Sequence, residues 1–189
     1  MRIILASGSP RRRELLEMLN VKDFEIIPAI GEEVMDARLS PEELVKKLSH
    51  DKAAEVAAQN RDALVIGADT VVSLEGTVLG KPEDEAAAIK MLKMLSGKTH
   101  KVFTGVTICC GDKVLSEVEE TSVSFLPLTG EEICAYVKTG EPMDKAGAYG
   151  AQGIGGLFVS RIEGNFFNVM GLPISRLYLM LKKLGVNLI

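Results

Sequence analysis

The run Ala63-Leu64-Val65-Ile66-Gly67-Ala68-Asp69-Thr70-Val71-Val72 limits the fold more than any other segment. It is the most apolar strand-like stretch of the chain, and it contains a carboxylate. An acid inside such a run is desolvated unless a cation or a metal ion pairs with it. In α/β proteins, reactive carboxylates stand where strands end at a cleft. Asp69 is therefore a candidate functional residue. The plainer alternative is an Asp turn between two short strands, which Gly67 would favour.

The segments around this run alternate between strand and helix. Ile3 to Ala6 reads as a short buried strand, and Gly8-Ser9-Pro10 ends it. Ser9 suits an N-cap and Pro10 the first helical position. The helix that follows carries Leu15, Leu16 and Leu19 on one face and should stop near Asn20. Phe24 to Pro28 reads as a strand. Ser40-Pro41-Glu42-Glu43 is a capping box that opens a helix to about Gln59. A third helix is expected over about Glu83 to Leu95, closed by Gly97. Val102 to Cys110 and Lys113 to Phe125 form a predicted hairpin around Gly111-Asp112. Thr129-Gly130-Glu131-Glu132 opens another helix, ending at Gly140. Leu157 to Ile162 and Phe166 to Met170 suggest a second hairpin turning at Gly164-Asn165. Pro173 starts a last helix with Leu177, Leu181 and Leu184 as its inner stripe and Gly185 as its stop. No linker-like composition separates these parts. The expectation is one α/β unit over residues 1–189, an elongated mixed sheet flanked by helices, bilobal with a central cleft.

Composition narrows the function classes. With 22 basic and 26 acidic residues, the 189-residue chain has a net charge of -4, which argues against a nucleic-acid polymer as partner. No apolar run reaches the roughly 18 residues of a membrane span, and the opening residues do not read as a signal peptide. The three cysteines, 109, 110 and 134, fit reduced thiols in a cytoplasmic protein and read as small apolar residues. The only histidines are His50 and His100, which excludes an HExxH metal site.

Three further features could carry chemistry. Ser7-Gly8-Ser9-Pro10-Arg11-Arg12-Arg13 places a glycine-containing loop and a helix N-terminus after a strand, an arrangement suited to an anion. Three arginines in a first turn oppose the helix dipole by roughly 0.3–1 kcal/mol per charge. A polyphosphate would reverse that sign, and the guanidinium forks match its oxygens. Three solvated arginines on an ordinary helix are the alternative. Lys81, between a strand and a helix, could reach a phosphate, but it, Lys52 and Lys145 each read singly as solvated charges; the loop pair Glu32-Glu33 could supply metal or water ligands or be solvated as acidic loop pairs commonly are. Asp144 to Gly156 has five glycines in thirteen residues, permitting close backbone approach to a ligand or forming only a flexible connector. Gln152 within it offers a donor and an acceptor that suit a base edge. Gly97-Lys98-Thr99 is not a P-loop, because Leu92 stands where glycine is required.

Taken in order, Ala6-Ser7-Gly8-Ser9-Pro10-Arg11-Arg12, Gly67-Ala68-Asp69-Thr70, Gly80-Lys81-Pro82, Ser96-Gly97-Lys98-Thr99-His100, Asp144-Lys145-Ala146-Gly147-Ala148-Tyr149-Gly150, Gln152-Gly153 and Val169-Met170-Gly171-Leu172-Pro173 strongly resemble the Maf family of nucleoside triphosphate pyrophosphatases. The resemblance implies an inosine triphosphatase-like fold and hydrolysis of a nucleoside triphosphate to monophosphate and pyrophosphate with a divalent cation, Mg²⁺ or Mn²⁺. It assigns Asp69 as proton acceptor. Arg11, Thr70 and Gln152 fall where members discriminate between bases. Ser7, Arg12, Glu33, Lys52 and Lys81 fall at other active-site positions; Asp69 either takes the proton of the attacking water directly or, with Glu33, holds the metal that acidifies it. The Gly-Ala-Asp-Thr and Tyr-Gly-Ala-Gln-Gly forms resemble the subfamily acting on dTTP and UTP. Two alternatives remain: a non-catalytic nucleotide-binding regulator tied to cell-division arrest, with which the family is also associated, and a pyrophosphatase preferring 7-methyl-GTP. The partners expected are the nucleotide and at most a second copy of the chain in a homodimer.

Overall fold

A computed structural model describes residues 1–19, 21 and 23–188. The strands are β1 (Arg2–Leu5), β2 (Phe24–Ile26), β3 (Ala63–Leu74), β4 (Thr77–Leu79), β5 (Thr99–Cys110), β6 (Lys113–Phe125) and β7 (Val159–Glu163). The helices are α1 (Pro10–Met18), α2 (Pro41–Gln59), α3 (Glu85–Leu95), α4 (Gly130–Val137), α5 (Phe166–Met170) and α6 (Ile174–Lys183). Among the described residues the seven strands form one mixed sheet in the order β2-β1-β3-β5-β6-β7, with β4 pairing β3 off that path. β1 is parallel to β2 and β3, whereas β4 is antiparallel to β3 and β7 to β6. No described helix is long and apolar enough to cross a membrane.

The chain divides into two compact units. The first comprises Met1–Asp69, Thr104–Glu119 and Gly171–Ile189. Here α2 packs Ala53 and Val56 against Ile4, Ala6, Ala63, Val65 and Cys109. Ser40 caps α2 with both halves of the capping box present. Two glycines let α2 lie on the strands at backbone distance. A Cβ on Gly67 would stand 2.4 Å from the Ser49 carbonyl oxygen, and one on Gly105 2.2 Å from that of Val45. Gly67 is thus a site of close helix approach rather than part of a turn. The second unit comprises Thr70–Phe103 and Glu120–Met170. Its core joins Leu92 and Leu95 of α3 and Ile133 and Tyr136 of α4 to Val123, Phe125, Tyr149 and Phe158. Thr129 caps α4 with a second complete capping box.

Several boundaries differ from expectation. The expected end of the first helix at Asn20 lies outside the described residues; α1 itself runs to Met18. Ser9 occupies its N-cap position without a side-chain cap bond, and its N–H donates to the Ser7 hydroxyl at 3.3 Å. α4 stops at Val137, and Gly140 (φ 76°) turns the chain just after it. The second hairpin does not form. Phe166–Met170 is helical, and β7 pairs with β6. The Asn165 side chain accepts the Phe167 N–H at 2.9 Å, which caps a helical turn where a hairpin turn was expected. Asn168 then fastens that turn through its Nδ2, which donates to the Val102 carbonyl (3.0 Å) and to Thr121 Oγ1 (2.9 Å).

Candidate active site

The order β2-β1-β3 makes the boundary between β1 and β3 a switch point, where the connections diverge to either side. In the parallel register Leu5 lies opposite Ile66, and the Ala6 N–H still bonds the Ile66 carbonyl at 2.8 Å. There β1 ends while β3 runs on. The chain leaving β1 therefore carries Ser7, and a turn later Arg12, past the segment Gly67–Asp69. Asp69 lies in the interior of an unbroken twelve-residue strand, not in a turn or at a strand end. Its position is nonetheless just beyond the last residue of the parallel neighbour.

Alternation along β3 puts Asp69 on the same face as Gly67. That face meets α2 at Ser49 and Ala53, so Lys52 projects from the adjoining part of the helix. Its Nζ donates to Asp69 Oδ1 and pairs with Glu33 Oε1 at 2.9 Å. Asp69 is only 7% exposed, and Lys52 is the cation that faces it there. Arg12 completes the group. Its Nε donates to the Gly171 carbonyl at 2.8 Å and its Nη1 to Ser7 Oγ at 3.2 Å. Burial lowers the Arg12 pKa from the ordinary guanidinium value; the charges of Asp69 and Glu33 act against that shift and Arg11 acts with it. Arg12 stays a cation regardless.

One sequence-derived set thus assembles within the first unit: Ser7, Arg12, Glu33, Lys52 and Asp69, with Arg11 beside them on α1. Such a group can bind phosphate oxygens and hold a water near a carboxylate. Asp69 and Glu33 converge on one ammonium, so the two carboxylates face a common point. That donor set fits a small hard cation sharing its shell with phosphate oxygens, since Mg²⁺ commonly takes one or two carboxylates. No cluster of three or more His, Cys, Asp or Glu among the described residues offers a cage of protein ligands alone.

The remaining predicted residues belong to the second unit. Thr70 follows Asp69 on β3 and is half-buried, while Lys81, after β4, and Gln152 are exposed. Lys145 is engaged structurally, its Nζ donating to the Glu141 carbonyl and the Asp144 carboxylate, each at 2.6 Å. Of the cysteines, Cys109 is buried but Cys134 is exposed on α4, so the apolar-core reading fails there.

Sequence reasoning missed Glu55. From α2 its carboxylate accepts the Ile30 N–H at 2.8 Å and the Gly31 N–H at 3.1 Å, pinning the loop that brings Glu33 to Lys52. A Cβ on Gly31 would stand 2.7 Å from Glu55 Oε2, so the one local signal was a glycine just before the acidic pair.

Residues 2–184 match the family model described as Maf-like protein. A dTTP/UTP pyrophosphatase of Bacillus cereus (strain AH820) is 53% identical over 186 residues, covering 98% of this chain and 97% of its own. One of Bacillus anthracis (strain CDC 684 / NRRL 3495) is 52% identical over the same shares. Among solved structures, a Staphylococcus aureus Ham1 protein is similar at 18% identity and a TM-score of 0.48, over 66% of this chain and 72% of that one, too slight a likeness to bear on the site. With nearly every residue inside the family match and half of them identical in such relatives, the chain belongs to the Maf family.

Proposed function

We propose that this chain is a nucleoside triphosphate pyrophosphatase acting on dTTP and UTP. The observation that carries the reading is the part-buried Asp69–Lys52 pair joined by Glu33, Arg12 and Ser7, in a chain half identical to relatives named dTTP/UTP pyrophosphatases.

Water attacks the α-phosphorus. A new P–O bond forms while the bond to the bridging oxygen breaks, and pyrophosphate leaves with that electron pair. Asp69 takes the proton from the water, and Lys52 orients its carboxylate. Arg12, Arg11 and the N-terminus of α1 neutralise charge on the phosphates, and Lys81 is assigned to the same task. Asp69 and Glu33 would hold a divalent cation, which when bound adds positive charge at the phosphate oxygens. Arg11, Thr70 and Gln152 are assigned to base discrimination; the Gln152 amide can meet the imide edge of thymine or uracil with one donor and one acceptor. A free nucleotide rather than a nucleic-acid polymer agrees with the net charge of -4, and the cytoplasm is the compartment this reading implies.

The test is a panel of canonical, modified and 7-methylated triphosphates with Mg²⁺ or Mn²⁺, assayed for pyrophosphate against orthophosphate. Pyrophosphate released from dTTP and UTP first, and a loss of about 10²–10⁴-fold in Asp69→Asn, are expected. Orthophosphate as first product, or an active Asp69→Asn, would overturn the mechanism. Binding without turnover would favour the regulator, and preference for 7-methyl-GTP the other branch of the family.

A further inference from the structure

We propose that Glu141 is a positioning residue for base discrimination, fixing the backbone on which Gln152 stands. This rests on the assignment of Gln152 above and names what holds it. Gln152 is exposed, in a stretch with five glycines among thirteen residues. Glycines leave such a stretch many accessible backbone conformations, and an amide that must present a donor and an acceptor in fixed order needs one of them held. Glu141 supplies it. Its Oε1 accepts the Tyr136 hydroxyl at 2.9 Å and the Gly155 N–H at 3.1 Å, and its Oε2 accepts the Ile154 N–H at 2.9 Å. On the other side of Gln152, the Gly150 N–H donates to the Tyr136 hydroxyl at 3.2 Å. The loop is therefore tied on both flanks of Gln152 to one carboxylate–phenol pair.

The glycines follow from this seat. A Cβ on Gly153 would stand 2.5 Å from Glu141 Oε1, and one on Gly155 would stand 2.6 Å from the Tyr136 hydroxyl oxygen. The backbone can approach these two side chains only because those positions lack a Cβ. Partial burial pushes the Glu141 pKa up, but the N–H groups of Gly155 and Ile154 and the Tyr136 hydroxyl hold it below the ordinary carboxylate value. Charge-assisted bonds of this kind are stronger than neutral ones. Lys145 Nζ, on the Glu141 carbonyl, steadies the residue that does the holding.

The test compares kcat/KM for dTTP and dGTP in the wild type, Glu141→Gln, Gln152→Ala and the double variant, with amide hydrogen exchange at Ile154 and Gly155. Glu141→Gln keeps the side chain's size but turns one acceptor into a donor facing N–H groups. It should lower the dTTP-to-dGTP ratio about tenfold, as Gln152→Ala does, and speed exchange at both amides. The double variant should lose no more than either single one, because both act through one contact. An unchanged ratio, an equal loss on both nucleotides, or multiplying losses in the double variant would overturn the proposal. Should Glu141→Gln not fold, Tyr136→Phe removes the Gly150 tie and the hydroxyl that Glu141 accepts, and is read by the same criteria. A wild type releasing no pyrophosphate from dTTP would instead defeat the functional reading, and this inference with it.

Discussion

Replacing Gly67 by alanine tests whether the site depends on how closely α2 lies on β3. The added Cβ would meet the Ser49 carbonyl oxygen at 2.4 Å, the Ala53 nitrogen at 2.8 Å and the Ala53 Cβ at 2.9 Å. Two of these atoms are helix backbone and cannot swing away. Ordinary contact begins near 3.4 Å, so the helix must withdraw by about 1 Å at Ser49. Lys52 lies between Ser49 and Ala53 and moves with them, away from Asp69. A misplacement of about 1 Å can cost about 10²-fold in rate, or about 2.7 kcal/mol of transition-state stabilisation. Overpacking of this kind also lowers stability by about 1–3 kcal/mol. Pyrophosphate release from dTTP gives the first quantity and urea denaturation the second. Gly76→Ala is the control: its backbone is left-handed (φ 85°) but no atom of the described residues lies within 4 Å of the added one. It should lose about 1 kcal/mol of stability while activity holds. A folded Gly67→Ala with activity within threefold of the wild type would refute the argument.

Two other perturbations probe different parts of the molecule. His100 is 1% exposed, its Nε2 meets the Tyr149 hydroxyl at 2.8 Å, and its Nδ1 has no hydrogen-bond partner among the described residues. Burial pushes its pKa down from 6.5 to about 4. The unfolded chain therefore takes up a proton that the folded chain refuses, and stability held above pH 6.5 should fall by about 2 kcal/mol at pH 5 and about 3 kcal/mol near pH 4. Urea midpoints from pH 7.5 to 5 should show that slope in the wild type and lose it in His100→Gln; a flat wild-type profile would contradict the burial argument. Glu55→Ala should lower kcat/KM for dTTP about tenfold by freeing the loop that carries Glu33, while stability changes by about 1 kcal/mol or less, because the released N–H groups reach water. Full activity would show that Glu33 needs no such anchor.

The local architecture was legible wherever the signal was itself local. Ser40 and Thr129 announced α2 and α4 through capping boxes that need four residues each, and both are present. The apolar run at 63–72 announced β3, and Gly111 the turn between β5 and β6. Where a signal was ambiguous, a distant partner decided. Gly164-Asn165 suits a hairpin turn and a helix cap equally well, and Thr121 and Val102, across the sheet, selected the cap. Gly67 suggested a turn because a glycine in a strand does not disclose what approaches it.

By itself, the sequence determined the succession of strands and helices, the presence of a carboxylate in the most apolar strand, and the ordered motifs that mark the family. Only the tertiary structure decided which charges meet. Asp69 pairs with Lys52, 17 residues away, and Arg12 bonds the Gly171 carbonyl, 159 residues away. Those encounters depend on the register of β1 against β3 and on the depth at which α2 settles. Both are set by contacts between residues far apart in the chain, which leave no trace in local periodicity. Glu55 and Glu141 escaped the sequence reading for the same reason, since an acidic side chain on a helix or in a loop looks solvated until the backbone N–H groups it accepts are brought to it.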